Sequence, residues 1–311
     1  MKIVCVEPLG ISTSHFKELK QQLASTGHEL VYYMDRNEQA DTLVERMHDA
    51  DIVVISNIPL PAAVLSRCPH LQYLSVAFTG LDHIDLAYCK EHNITVQNAA
   101  GYSTTAVSEL AIGLMLDLMR QITRLDAATR QGQGRGAFLG RELRGKTVGV
   151  VGTGAIGTAA IRLLLAFGCK VIAYNRSRHA EVEQLGVEYT DLDTLLQRSD
   201  IVTLHVPLNA ETKHLISRER LAMMKPTALL INTARGNVVD IPALSEALKN
   251  GQLAGAAVDV YEQEPPLPAG HPLLGAPNCI CVPHIGYASR EAFDIRADIV
   301  FDHVKQFLSN K

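Results

Sequence analysis

Apolar residues fall into short runs and helical stripes that alternate along the chain. Fully apolar or half-apolar runs at 3–6, 52–55, 71–76 and 94–96 have the length of buried strands, and 15–25 has helical spacing that stops at Gly27. A long amphipathic stretch follows, predicted as one helix over 104–125. Val107, Leu110, Ala111, Leu114, Met115, Leu118 and Met119 form its stripe, and Ser103 or Thr104 can cap it. The polar, Gly-rich segment 131–140 reads as a loop. A second alternating series then opens, with strands expected at 147–151, 170–173, 201–205, 228–232, 255–260 and 279–282. Helices are expected to start near Ile156, Leu192, Glu219 and Ile241, and a last helix covers 289–308. Strands separated by helices imply parallel sheets covered on both faces. The fold class is therefore α/β, with two Rossmann-like doubly wound parallel-sheet domains and a cleft between them. The last helix lies beyond the second series and is expected to pack back on the first. That gives a discontinuous substrate-binding domain, 1–98 plus 286–311, and a dinucleotide-binding domain, 99–285.

Composition narrows the class. The 311 residues are 47% hydrophobic and 20% charged, which excludes a disordered chain. A net charge of -4 offers no basic footprint for nucleic acid. No run approaches the roughly 18 apolar residues of a membrane span, and the start reads as a strand rather than a signal peptide. A cytoplasmic protein is expected. Cys5, Cys68, Cys89, Cys169, Cys279 and Cys281 are scattered without a CxxC pair, so neither a disulfide framework nor a metal site is expected. Cys279 and Cys281 alternate with Ile280 and Val282 in what reads as a buried strand.

The chemistry begins at Gly152-Thr153-Gly154-Ala155-Ile156-Gly157, directly after the run Val148–Val151. A GxGxxG is informative here because it follows a strand and opens a helix. Gly152 permits the tight turn, Gly154 leaves room for a pyrophosphate, and Gly157 lets helix and strand approach. The helix N-terminus, through Ala155 and Ile156, offers N–H groups and partial positive charge to the anion. The next strand ends in Asn175-Arg176-Ser177-Arg178. An acidic residue at the Asn175 position would hold a ribose 2′-OH. A neutral amide removes repulsion toward a 2′-phosphate, and Arg176 and Arg178 can clamp one. NADP is thus expected over NAD.

Three further segments sit at strand ends, where doubly wound sheets bind ligands: Asn232-Thr233-Ala234-Arg235-Gly236, Asp259 through Glu264-Pro265, and Pro283-His284-Ile285-Gly286. They supply a cation, a carboxylate and an imidazole, the inventory for reducing a 2-keto acid. Arg235 can bind the substrate carboxylate and polarise the keto oxygen. His284 can protonate that oxygen, and Glu264 can orient His284.

These motifs, with Gly145-Lys146-Thr147-Val148-Gly149 and Leu204-His205-Val206-Pro207-Leu208-Asn209, occur in an order that resembles the D-isomer-specific 2-hydroxyacid dehydrogenase family over essentially the full length. The resemblance implies the same catalytic roles for Arg235, Glu264 and His284. It implies that Asp259 contacts the nicotinamide carboxamide with help from the backbone near Thr233. Pro207 would line the adenine side, with His205 and Thr212 in the same dinucleotide site. Backbone N–H groups of Ala77-Phe78-Thr79-Gly80 would hold the substrate carboxylate, Asn98 to Tyr102 would cross between domains, and the helix after them would form a homodimer. Phe78 stands where many relatives have a small residue. The loop before Gly145 lacks the tryptophan often found there, and Phe138 can substitute. Glu264 replaces the glutamine typical of the formate dehydrogenase branch. With the last helix closing near Lys311, the regulatory extension of longer phosphoglycerate dehydrogenases is not expected. The activity implied is reduction of glyoxylate, hydroxypyruvate or a similar small 2-keto acid. The alternative is a nucleotide-sensing binding protein like the family's corepressor relatives. A methyltransferase would not need Arg235, Glu264 and His284.

Overall fold

The computed structural model describes residues 1–311 and divides into two compact units, Met1–Ser103 with Ala288–Lys311, and Thr104–Tyr287. The sequence reading set the seams after 98 and after 285.

The first unit holds a five-stranded parallel sheet of β1 (Lys2–Cys5), β2 (Glu29–Tyr32), β3 (Ile52–Ile55), β4 (Tyr73–Val76) and β5 (Thr95–Asn98), in the order β2-β1-β3-β4-β5. Connections run through α1 (Thr13–Ser25), α2 (Ala40–Met47), α3 (Ala62–Leu65) and α4 (Leu86–Glu91). The closing helix Arg290–Ser309, α12 by its place in the chain, belongs to this unit, with the Ser75 hydroxyl donating to Val300 O at 3.0 Å. All four residues of β3 and of β4 are buried, as continuous apolar runs in parallel strands should be. The strand β2 escaped the sequence reading. It is an edge strand with one buried residue, so its pattern carries little signal.

The second unit begins with α5 (Thr104–Arg120) and α6 (Ile122–Arg130). The single helix expected over 104–125 is broken: Gln121 adopts a left-handed φ of 50°. Asp117 causes the break locally, its carboxylate accepting from Thr123 N at 2.9 Å and from the Thr123 hydroxyl. Hydrophobic spacing cannot register a turn made by one polar side chain. Next come β6 (Thr147–Val151), α7 (Ala155–Ala166), β7 (Lys170–Tyr174), α8 (Ala180–Glu183), β8 (Glu188–Tyr189), α9 (Leu192–Arg198) and β9 (Ile201–Leu204). The series ends with α10 (Arg218–Met223), β10 (Leu229–Asn232), α11 (Ile241–Lys249), β11 (Gly255–Val258) and β12 (Cys279–Cys281). The seven-stranded sheet is parallel, in the order β12-β11-β10-β9-β6-β7-β8. Strand order reverses between β6 and β9, the switch point at which such sheets open a crevice. The expected buried strand carrying Cys279 and Cys281 is instead the sheet edge, and all three of its residues are half-buried. An apolar run does not reveal whether a neighbour covers both sides.

Candidate active site

The turn from β6 into α7 shows what each glycine does. Gly152 has φ +97°, and a Cβ there would lie 2.6 Å from His205 O. A Cβ on Gly157 would lie 1.9 Å from Gly152 O, so the helix rests on the turn itself. A Cβ on Gly154 would meet nothing within 4 Å. The first and third glycines thus serve packing, while the second keeps open a space the protein does not use. Thr158 N is the first helical N–H to find a carbonyl, Gly154 O at 2.8 Å. The N–H groups of Ala155 and Ile156 therefore sit at the positive end of a 12-residue helix, the setting that binds phosphate.

These positions separate two effects of mutation. Gly157→Ala drives a methyl into backbone and is expected to cost on the order of 3 kcal/mol of stability, read by denaturant unfolding. Gly154→Ala should unfold at the wild-type midpoint but weaken dinucleotide binding in a fluorescence titration. Equal loss of stability in both variants would contradict this division.

Asn175 follows β7, its Nδ2 donating to Ser177 O at 2.8 Å and its Oδ1 accepting from Thr153 N at 3.4 Å. Arg176 and Arg178 are exposed and form loose ion pairs with Glu211 (3.5 Å) and Glu183 (3.7 Å). The sequence reading passed over His179, whose Nε2 lies 3.3 Å from Asn175 Nδ2. A third basic residue four positions after Asn175 was the available signal. Tyr189 OH meets Thr153 Oγ1 at 2.8 Å and accepts from His179 N at 3.2 Å, tying this loop to the glycine turn.

Past β9, His205 is half-buried with its ring shielded from solvent, and desolvation pulls its imidazole pKa down to about 4, so the ring is neutral at pH 7. Its Nε2 meets Thr203 Oγ1 at 3.0 Å, while Nδ1 has no protein partner. The Thr212 hydroxyl donates to Pro207 O at 2.6 Å and accepts from Asn209 N at 2.8 Å. Thr212 thus shapes the loop that carries Pro207. Beyond β10, the Thr233 hydroxyl oxygen is buried without a protein partner. The open space a Cβ on Gly154 would enter, the helix N–H groups and the buried Thr233 hydroxyl together fit a bound dinucleotide.

The ends of β10, β11 and β12 are neighbours, since Asn232 pairs with Val258 and Val258 with Cys281. Asp259 N donates to Asn232 O (2.9 Å) and Val282 N to Val258 O (3.0 Å), which carries the ladder into the functional loops. Asn232 braces the Arg235 segment: its Oδ1 accepts from Ala234 N (3.1 Å) and its Nδ2 donates to Arg235 O (3.0 Å). Gly236 lies so close to the Tyr261 backbone that a Cβ would sit 2.0 Å from its carbonyl carbon. Tyr261 OH lies 3.1 Å from Val258 O and 3.0 Å from Val282 O, spanning the two loops.

His284 has φ +55°, a conformation that costs a non-glycine residue free energy. Its position is fixed from two directions. Glu264 places Oε1 and Oε2 at 2.9 and 2.8 Å from His284 Nδ1. Asp259, 1% exposed, accepts Ile285 N–H (2.7 Å) and Gly286 N–H (2.8 Å). Burial holds the Asp259 carboxyl above its usual range, partly offset by these two N–H groups. The structure therefore gives Asp259 a loop-holding part that the sequence did not disclose. In the first unit, Ala77–Gly80 forms the turn after β4. Phe78 is buried there, its ring edge-on to His83 at 6.2 Å, and Thr79 is exposed.

Comparison with known proteins places the chain in a family. Residues 112–286 match the family described as "D-isomer specific 2-hydroxyacid dehydrogenase, NAD binding domain". The chain is 44% identical over 267 residues to a glyoxylate reductase of Thermofilum pendens, covering 83% of this chain and 78% of that one. It is 37% identical to a hydroxypyruvate reductase of Thermotoga maritima, covering 92% and 91%. A solved structure of an acyclic imino acid reductase in complex with NADPH and D-Arg superposes with a TM-score of 0.89 at 28% identity, covering 100% of this chain and 98% of that one.

Proposed function

Since the chain belongs to the D-isomer-specific 2-hydroxyacid dehydrogenases, an oxidoreductase family that uses a nicotinamide cofactor, we propose that it reduces glyoxylate or hydroxypyruvate with NADPH. The observation that carries this reading is the His284–Glu264 pair, with Asp259 holding the backbone just after His284 from the end of β11, the strand beside the one that leads to Arg235. The relatives' names support the substrate class.

When bound, the nicotinamide supplies a hydride. The helix N-terminus at Gly154–Ile156 would take its pyrophosphate, and Thr233 its nicotinamide side. Arg235 binds the substrate carboxylate and draws electron density toward the keto oxygen. His284 gives a proton from Nε2 to that oxygen, because Nδ1 faces Glu264. Glu264 stabilises the charged imidazole and fixes its orientation. Asp259 keeps the loop in its strained form, so His284 is in place before substrate arrives. The Ala77–Gly80 turn holds the carboxylate through backbone N–H groups.

The 2′-phosphate would displace Glu211 and Glu183 from Arg176 and Arg178. Exposed ion pairs of this kind are worth at most about 1 kcal/mol, so the exchange favours the doubly charged phosphate. Asn175 adds no repulsion. Steady-state kinetics with both cofactors and a panel of 2-keto acids test the proposal. NADPH should give the higher kcat/KM. Replacing Arg176 and Arg178 by Ala should lower it about 10- to 100-fold, while NADH is affected little. A clear NADH preference in the wild type would refute the cofactor assignment.

A second copy of the chain is the proposed partner. The surface beside α5 and α6 supports this, with a cavity of about 960 Å³ lined by Leu118, Met119, Ala127, Phe138 and Leu139. No helix is long and apolar enough to cross a membrane.

A further inference from the structure

The buried face of α12 repeats every four residues: Ala292, Arg296, Val300, Val304. An arginine therefore occupies a core slot. It is 3% exposed, yet no carboxylate lies within ion-pair distance of its guanidinium. Its partners are neutral. Nη1 donates to Ser56 Oγ (3.0 Å) and Ala77 O (3.2 Å), Nη2 donates to Leu9 O (2.7 Å), and Nε has no partner. The guanidinium stacks over Phe293 at 4.3 Å. The nearest buried acid, Glu7, is engaged elsewhere. It accepts from Arg36 Nη1 at 2.5 Å and from Ser56 N at 2.7 Å. A buried, unpaired cation is costly, and apolar replacements at such sites are often neutral or stabilising.

What Arg296 touches explains why the charge is there. Ala77 O is the first carbonyl of the 77–80 turn. The next two carbonyls are also held, Phe78 O by Ala99 N (3.1 Å) and Thr79 O by Asn98 Nδ2 (2.6 Å). In a trans peptide the N–H points opposite to the C=O. Fixing three successive carbonyls thus turns the N–H groups of Phe78, Thr79 and Gly80 away from the donors that hold those carbonyls. No carbonyl of the protein takes the N–H of Thr79 or Gly80.

We propose that Arg296 is a positioning residue for the substrate carboxylate. It sets the first peptide plane of the 77–80 turn and places an uncompensated positive charge behind it. Donors aimed in advance, with a fixed charge at their back, bind an anion without reorganisation. This inference rests on the reading that the turn receives the carboxylate.

The test is Arg296→Met, measured with oxamate as an unreactive carboxylate. Expected are an unfolding midpoint at or above wild type and an unchanged NADPH affinity. KM for the keto acid and Kd for oxamate should both rise about tenfold, with kcat within threefold. Wild-type KM and oxamate affinity in a folded Arg296→Met overturn the proposal. Should the Met variant not fold, Arg296→Lys is read by the same ratio. It keeps the charge but cannot hold Ser56, Ala77 and Leu9 together, so a raised KM at unchanged kcat supports the proposal and an unchanged KM overturns it. Hydrogen exchange of wild-type peptides spanning the turn separates the two readings. No protection by oxamate there removes the carboxylate reading itself. Protection in wild type with undiminished affinity in the variant removes only the part given to Arg296.

Discussion

His284→Ala should lower kcat about 10²- to 10⁴-fold while leaving KM for the keto acid near its wild-type value. That range is what a positioned general acid contributes. The imidazole has two nitrogens, and the structure commits one of them: Nδ1 faces both oxygens of Glu264 at 2.8–2.9 Å. Nε2 is the atom proposed to meet the substrate, with the Glu264 carboxylate behind the ring to stabilise the cation before the proton moves. Alanine removes the proposed donor but leaves Arg235, so ground-state binding should survive. Glu264→Gln is expected to be milder, since an amide can still accept from Nδ1 but brings no charge. The two losses should not add, because Glu264 acts through His284. Measured kcat for the single and double variants checks this. A His284→Ala enzyme within tenfold of wild type would show that the keto oxygen takes its proton elsewhere.

These side chains stand out in the sequence because they fall in short, chemically unusual strings at strand ends. Asn232 to Gly236 and Pro283 to Gly286 can be picked out without coordinates, since each puts a charged or titratable side chain directly after an apolar run. The buried parallel strands were equally legible, with β3 and β6 matching their apolar runs end to end. What stayed hidden depends on partners distant in the chain. Gln121 turns α5 into α6 because Asp117 reaches Thr123, while the apolar stripe runs on regardless. The part Asp259 plays in holding Ile285 and Gly286 spans 26 and 27 residues. Arg296 reaches Leu9 across 287. On a helical wheel it is a charge in an apolar column, and only the fold reveals the carbonyls that justify it. The edge position of β12 shows the same limit, because an apolar strand does not announce how many neighbours it has.

Arg235→Met should reduce kcat/KM about 10²- to 10⁴-fold, with loss in both KM and kcat. The magnitude follows from hydrogen bonds to charged groups at about 1.5–3 kcal/mol each, two of which the substrate would lose. One is to the carboxylate and is present in ground and transition states, so its loss raises KM. The other is to the keto oxygen and strengthens as negative charge develops there, so its loss lowers kcat. The residue suits this double task because its backbone cannot drift: Asn232 braces it at two points, and Gly236 is wedged against Tyr261. Nη1 donates to Ala234 O at 2.8 Å, which limits the swing of the planar fork. Lysine would restore the charge as a single point and cannot serve two oxygens in fixed geometry, so Arg235→Lys should recover only part of the loss. NADPH affinity, followed by fluorescence, should be unchanged in both variants. Free guanidinium added to Arg235→Ala should restore a measurable fraction of the rate. A Met variant whose kcat/KM stays within tenfold of wild type would mean that another cation anchors the keto acid, and the assignment of Arg235 would have to be abandoned.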